Sequence, residues 1–434
     1  MSTPEAPRPA TATTPPTTAP STTGRALLRD GDFRLLWTGE TASKLGTSVS
    51  SLAMPLVAVQ VLDASALAVS LLTAALWLPW LLVGLPAGAW VDRSPKRAVM
   101  ISCDLLAATA LLSVPLAARL DVLDESWLIG VNLVVGTCTV FFGAAWNGWL
   151  PTVLTRDEVA PANAFLQGSE SAAQVAGPGV AGLLAGLVGA IAGLVVDALT
   201  FLVSAAALAR FRRQPRAIEA PPRRRLRSEI ADGLGFVMRD PVLRRLVLHG
   251  GTSNLALVGY QAVLVVFLVR DVGLSAGAVG LLLALTSLGG VLGATLSQAL
   301  VRRVGTARAL ILCKAGAAPF ALLVPLTERG PQLALFVAGT VVVVAGVVGG
   351  NVISTSWRQT YCPPHLLGRV MTSMQVVNIG TVPFGAVLAG LLATAIGNRE
   401  AIAVLTAVFA AAGLVLVFGP LRGLRDLPES PSGR

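Results

Sequence analysis

The chain has 434 residues, 54% of them hydrophobic and 13% charged, with a formal net charge of +10. A soluble domain is about 45–50% apolar and about 25% charged, so a soluble globular fold, a disordered chain and a nucleic-acid-binding domain are all excluded. The composition is that of an integral membrane protein, and its continuous Ala-, Leu- and Gly-rich runs lack the alternation of a β-barrel.

A helix needs roughly 20 residues to cross about 30 Å of hydrocarbon. Residues 1–30 open with a Pro/Thr/Ala/Ser tract that has no apolar run, which predicts a disordered tail and no signal peptide. Spans are expected at 34–62, 67–91, 97–119, 127–150, 164–188 and 190–210. After a basic loop, six more are expected at 243–269, 276–301, 307–326, 332–356, 369–396 and 400–420. The fold class is therefore an all-α integral membrane protein with twelve transmembrane helices. Its predicted units are a six-helix bundle over 31–211, a basic central loop over 212–242, a second bundle over 243–421 and a tail over 422–434.

Orientation follows from the basic residues. Of 33 Lys and Arg, only Arg119, Arg270, Arg329 and Arg399 fall in the loops expected outside. The stretch from Arg210 to Arg245 alone holds eleven arginines, so both termini are expected in the cytoplasm of a multi-pass plasma-membrane protein. That basic face suits anionic lipid rather than nucleic acid.

The two halves repeat. Arg34-Leu35-Leu36 leads into the first span as Arg244-Arg245-Leu246 leads into the seventh. Pro178 with Gly182-Leu183-Leu184-Ala185-Gly186 is mirrored by Pro383 with Ala386-Val387-Leu388-Ala389-Gly390. Six helices per half keep the same orientation, so two pseudo-symmetric bundles should enclose a cavity at the midplane.

The loop after the second span reads Gly88-Ala89-Trp90-Val91-Asp92-Arg93-Ser94-Pro95-Lys96-Arg97. Gly88 permits close helix approach, Asp92 ends the helix, and three cations follow. An acid here can pair with a neighbouring cation or cap a helix, forming a latch at the cytoplasmic face.

This loop resembles that of the major facilitator superfamily, Gly-x-x-x-Asp-Arg-x-Gly-Arg-Arg/Lys, with Pro95 in place of the usual Gly. The likeness narrows to the exporter branch of enterobactin-exporter-like and macrolide-efflux-like permeases. It is carried by Leu150-Pro151-Thr152-Val153-Leu154 with Ala162-Asn163-Ala164, by Asp197-Ala198-Leu199-Thr200-Phe201-Leu202-Val203-Ser204, by Asp240-Pro241-Val242-Leu243 and by Gly368-Arg369-Val370-Met371. In the fifth span, Gly168, Gly177, Pro178 and Gly182 supply packing and a bend, and resemble the antiporter element of proton-coupled exporters. Two departures stand out: the fourth span lacks the buried Arg of many drug–proton antiporters, and Ala107 follows Asp104-Leu105-Leu106 where an Arg is frequent.

The resemblance implies export of a small amphipathic compound (a drug, antibiotic or siderophore) by alternating access in exchange for protons, driven by the proton gradient without a cofactor, with a monomer as the unit. It implies a gate of Gly88, Asp92, Arg93, Lys96, Arg97, Gly368 and Arg369, and a cavity lined by spans 1, 4, 7 and 10. The cavity candidates are Ser43, Lys44, Thr47 and Ser48; Trp146 and Asn147; Asn254, Tyr260 and Gln261; and Asn351, Ser354 and Trp357. Ionisable residues inside spans are costly and are functional suspects. Glu170 is the expected coupling carboxylate, backed by Asp104 or Asp197, with Glu40 four residues before Lys44 as a further candidate. Each has a structural alternative: Glu40–Lys44 as a helix pair, Asp104 as a brace for Arg93 or Arg97, Asp197 as a packing or capping group.

Cys103, Cys138, Cys313 and Cys362 are read as free thiols, and His249 and His365 as unrelated to metal. With no Walker-type loop and no nucleophile–base pattern, an enzyme is not expected. A proton-linked importer on the same fold, or a scaffold using the basic loop, are the alternatives.

Overall fold

A computed structural model describes residues 24–216 and 226–430, which are helical apart from short connections. Helices α1 to α6 are Gly31–Gln60, Ala66–Leu82 continuing as Gly84–Val91, Lys96–Arg119, Glu125–Val153, Arg156–Leu187 and Ile191–Arg210. Helices α7 to α12 are Pro241–Asp271, Ala276–Val304, Thr306–Leu323, Leu333–Tyr361, Pro364–Gly380 continuing as Val382–Ile396, and Asn398–Val417. Among the described residues nine of these are long and apolar enough to cross a membrane. The other three, α1, α2 and α5, pack within the same bundle. The first segment of α2 is only 17 residues long, while α1 carries Glu40 and Lys44, and α5 carries Arg156, Asp157, Glu158 and Glu170.

Helix ends follow local chemistry. Asp30, Ser65, Asp124, Asp240 and Ser275 each accept a backbone N–H of the helix they precede. Thr155 and Glu158 form a reciprocal capping box. That box starts α5 at Arg156, eight residues ahead of the expected 164, because Pro161 is tolerated inside its early turns.

Two segments depart from the expected loop and tail. Leu226–Arg239, in the basic central segment, is a helix whose Gly233 lies against the Arg369 carbonyl of α11. The C-terminal stretch is docked rather than free. Ala307 N donates to Arg425 O at 3.0 Å, Thr306 N to Asp426 Oδ1 at 2.9 Å, and Trp357 Nε1 to Pro428 O at 2.8 Å. Most of the expected tail (1–23) and part of the basic loop (217–225) lie outside the described residues.

The buried apolar residues fall into clusters with a telling distribution. At the end of the bundle away from the basic loops, one core takes in both halves, from Val49, Leu56 and Leu128 to Tyr260, Phe267 and Ile402. At the basic end there are two separate cores. One belongs to the first half (Phe33, Met100, Trp149, Phe211) and the other to the second (Leu243, Leu310, Trp357, Tyr361). The halves are therefore sealed together at one end only.

Glycines permit that seal. Gly182 of α5 and Gly280 of α8 meet so closely that a Cβ on Gly182 would lie 2.8 Å from the Gly280 Cα. Arg270 and Asp63 form an ion pair of 2.5 Å between the halves at the same end.

Candidate functional site

In the first half, α1 and α5 bring three charged residues to one pocket. Lys44 Nζ lies 3.7 Å from Glu40 Oε1 and 3.8 Å from Glu170 Oε1, so one ammonium is shared by two carboxylates. Trp37 Nε1 donates to Ser169 Oγ at 2.8 Å and ties the same two helices. The pocket, about 620 Å³, is walled by these charges with Trp146, Asn147, Asn163 and Gln167. Phe142 and Trp146 stack with centroids 6.0 Å apart, giving it an aromatic side.

Five expected residues thus meet: Glu40, Lys44, Trp146, Asn147 and Glu170. Asn163 and Gln167 were missed, although their spacing of seven and three before Glu170 puts them on its helical face. Of the other α1 candidates, Thr47 is exposed, Ser48 is half-buried and Ser43 is buried.

Asp104 and Asp197 lie apart from this pocket and are buried at 1% exposure each. Asp104 does not brace Arg93 or Arg97: it sits on α3, and its Oδ2 has no hydrogen-bond partner. Asp197 is packed on Gly46 of α1, where a Cβ would come within 2.5 Å of its carboxylate, and it receives the Thr200 hydroxyl at 3.3 Å. Its surroundings are those of the packing alternative.

The expected gate is not latched. Asp92 does end α2, its N–H donating to Gly88 O at 3.0 Å, but among the described residues it makes no ion pair. Arg97 instead donates to Leu208 O at 2.8 Å and Ala209 O at 2.7 Å, satisfying carbonyls at the C-terminus of α6. Lys96 lays its stem across Gly148. Gly88, Gly168 and Gly368 have nothing where a Cβ would stand, so they are not close-packing glycines here; Gly177 packs against Ser48 and Gly182 against Gly280, which also abuts the Pro178 carbonyl.

A further tie at the basic end was not foreseen. Arg213 bridges Asp30 at 2.9 Å and Glu158 at 3.0 Å, joining the starts of α1 and α5 to the segment after α6. All three lie in one half, as befits an end where the two cores stay separate.

The second half holds a pocket of about 170 Å³ among α7, α9, α10, α11 and α12. Expected Asn254, Asn351 and Ser354 line it, together with Lys314 and Arg358, which had not been singled out, and His249, which had been read only as unrelated to metal. Lys314 escaped notice as one cation in an apolar stretch, and Arg358 because α10 was expected to end at 356 rather than at Tyr361. Three expected wall residues are elsewhere. Tyr260 is 1% exposed in the sealed core, and Trp357 stacks on Tyr361 at 4.2 Å in the basic-end core. Gln261 is exposed, adjacent to that buried Tyr260.

Two helical halves, sealed at one end and each with a polar pocket, define a multi-pass membrane protein of the major facilitator fold. A bacterial homologue of the iron transporter ferroportin, in its inward-facing state, shares that fold with a TM-score of 0.71 at 15% identity, over 90% of this chain and 98% of that one. The nucleoside transporter NupG does so with a TM-score of 0.69 at 11% identity, over 89% and 98%. The family model described as transmembrane secretion effector matches residues 22–433, and the chain belongs to that family. The multidrug efflux pump Tap of Mycolicibacterium fortuitum is 29% identical over 424 residues, covering 92% of this chain and 98% of the relative. Macrolide efflux protein A of Streptococcus pyogenes is 23% identical over 375 residues, covering 84% and 90%.

Proposed function

We propose that this protein is a secondary transporter that exports a small amphipathic compound, of the drug or antibiotic kind, across the plasma membrane in exchange for protons. The observation that carries the reading is the distribution of cores. A single core seals the halves at one end, while at the basic end two cores stand apart with Asp92 unpaired. With the basic end cytoplasmic, as the Lys/Arg bias favours, this is the state that loads cargo from inside. Rocking the halves would merge the basic-end cores, engage Asp92, Arg93, Lys96, Arg97 and Arg369, and part the Gly182–Gly280 contact.

Coupling is assigned to the Glu40–Lys44–Glu170 cluster. Its acids stand in a pocket beside aromatic and amide groups, so protons are taken up and released there as its wetting changes. The names of the relatives, a multidrug efflux pump and a macrolide efflux protein, support export. The basic central segment would rest on anionic headgroups, and the transporting unit would be one chain.

Inverted membrane vesicles containing the chain should accumulate radiolabelled amphiphiles, 1-naphthoate among them, when respiration acidifies their lumen, and lose them when an uncoupler is added. Accumulation by right-side-out vesicles instead would overturn export; accumulation insensitive to uncoupler would overturn proton coupling.

A further inference from the structure

The second-half pocket is cationic, and no acid among the described residues balances it. Lys314 and Arg358 both line it, no Asp or Glu does so among the described residues, and neither cation makes an ion pair there. Arg358 lies within one turn of the end of α10, where a long side chain ordinarily extends to the rim. It turns back instead: Nε donates to Ser354 O at 3.0 Å, Nη2 to Thr355 Oγ1 at 3.0 Å, and Nη1 meets only the weak acceptor Met374 Sδ at 3.3 Å. Lys314 Nζ donates to Asn351 Oδ1 at 2.9 Å, leaving two of its three N–H groups for another acceptor. In the same wall Asn378 Oδ1 is buried without a donor. Unpaired cations at membrane depth are costly and mark sites of function.

We propose that this pocket binds an oxyanion, and that the exported compound is an amphiphile bearing a carboxylate or similar acidic group. The oxyanion accepts from Lys314 and Arg358, and a neighbouring O–H or N–H of the same molecule satisfies Asn378 Oδ1. The site deepens the export reading, naming its substrate class, but binding itself needs no transport. A lipid headgroup offers the same chemistry, and the experiment separates the two sources.

The test is equilibrium binding of radiolabelled 1-naphthoate to the full chain in phosphatidylcholine nanodiscs. Saturable binding is expected, weakened ~10- to 100-fold by Lys314→Gln or Arg358→Gln, as for a lost hydrogen bond to a charged group. Lys314→Arg should recover most of the loss, and the uncharged 1-naphthamide should bind far more weakly to the unaltered chain. Should a variant fail to fold, the unaltered chain still tests the site: inorganic phosphate should displace naphthoate, and sodium chloride of equal ionic strength should not. Equal binding of naphthoate and naphthamide, or unchanged naphthoate binding in folded Gln variants, overturns the site. Displacement by phosphatidylglycerol built into the disc would assign the oxyanion site to lipid and overturn the cargo assignment. If naphthoate binds as expected while vesicles export nothing, the site stands and the export reading falls.

Discussion

The two halves share a helical frame and differ in the sign of the charge they bury. In the first, Lys44 is outnumbered by Glu40 and Glu170 on a pocket wall. In the second, Lys314 and Arg358 face a pocket without any acid among the described residues. The contrast reaches repeat-related positions: Cys103-Asp104 on α3 and Cys313-Lys314 on α9 lie 210 residues apart, close to the offset that relates the starts of α1 and α7. A repeat can keep its packing while its buried charges diverge, because packing depends on the small residues at helix contacts and charge on single side chains that face a cavity. On this view the acidic half is the place to handle protons and the cationic half the place to hold an acidic cargo.

The comparison breaks most visibly at Glu170. Glu170→Gln should leave exchange of labelled for unlabelled cargo intact while uphill accumulation falls to the equilibrium level. Vesicle uptake with and without a proton gradient decides, and retained uphill movement would remove Glu170 from coupling. Next comes Asp92→Asn at the unlatched basic end. Because Asp92 has no ion pair in this state, the thermal unfolding midpoint should hold while turnover drops severalfold; unchanged turnover would remove it from the gate. A third test addresses the sealed end. Gly280→Leu forces side-chain atoms into the α5 backbone, and overpacking of this kind costs about 1–3 kcal/mol. The unfolding midpoint should fall, and export with it, whereas the same change at Gly168, which faces open space, should be tolerated.

Much of the frame was legible in the chain. Apolar run lengths place the helix ends to within about five residues except at the start of α5, where capping by Thr155 and Glu158 outweighs the apparent gap around Pro161. The members of the acidic pocket were legible singly, because Glu40, Lys44 and Glu170 are conspicuous in apolar surroundings, but their meeting across α1, α4 and α5 was not. What stayed hidden depends on side-chain direction near helix ends. Arg358 passes for one more positive-inside residue until its guanidinium is seen to fold back onto Ser354. Tyr260 and Trp357 are amphipathic, and only their packing shows that they serve cores rather than a cavity wall. Arg213 lies far in sequence from Asp30, and no local pattern predicts their meeting.

The Arg213 bridge offers the smallest and most pH-specific effect, since it lies at the basic rim outside the apolar belt. Burial pushes the carboxyls of Asp30 and Glu158 upward. The Phe33 N–H and Arg213 for Asp30, and Arg213 with the Thr155 N–H for Glu158, outweigh that, so both end below their ordinary values. A carboxyl lowered in the folded state adds stability above its unfolded value of about 4 and loses it as pH falls through the folded value. Arg213→Gln should therefore cost about 1 kcal/mol at neutral pH, a figure kept small because the Asp30 side chain is 36% exposed and that pair is partly screened. The gap in unfolding midpoint between the two chains should persist from pH 8 down to about pH 5 and close towards pH 3, where the unaltered chain also loses its bridge. A gap that stays constant over that range would mean that Arg213 acts through its contact with the Val153 carbonyl, at 3.3 Å, rather than through the carboxylates.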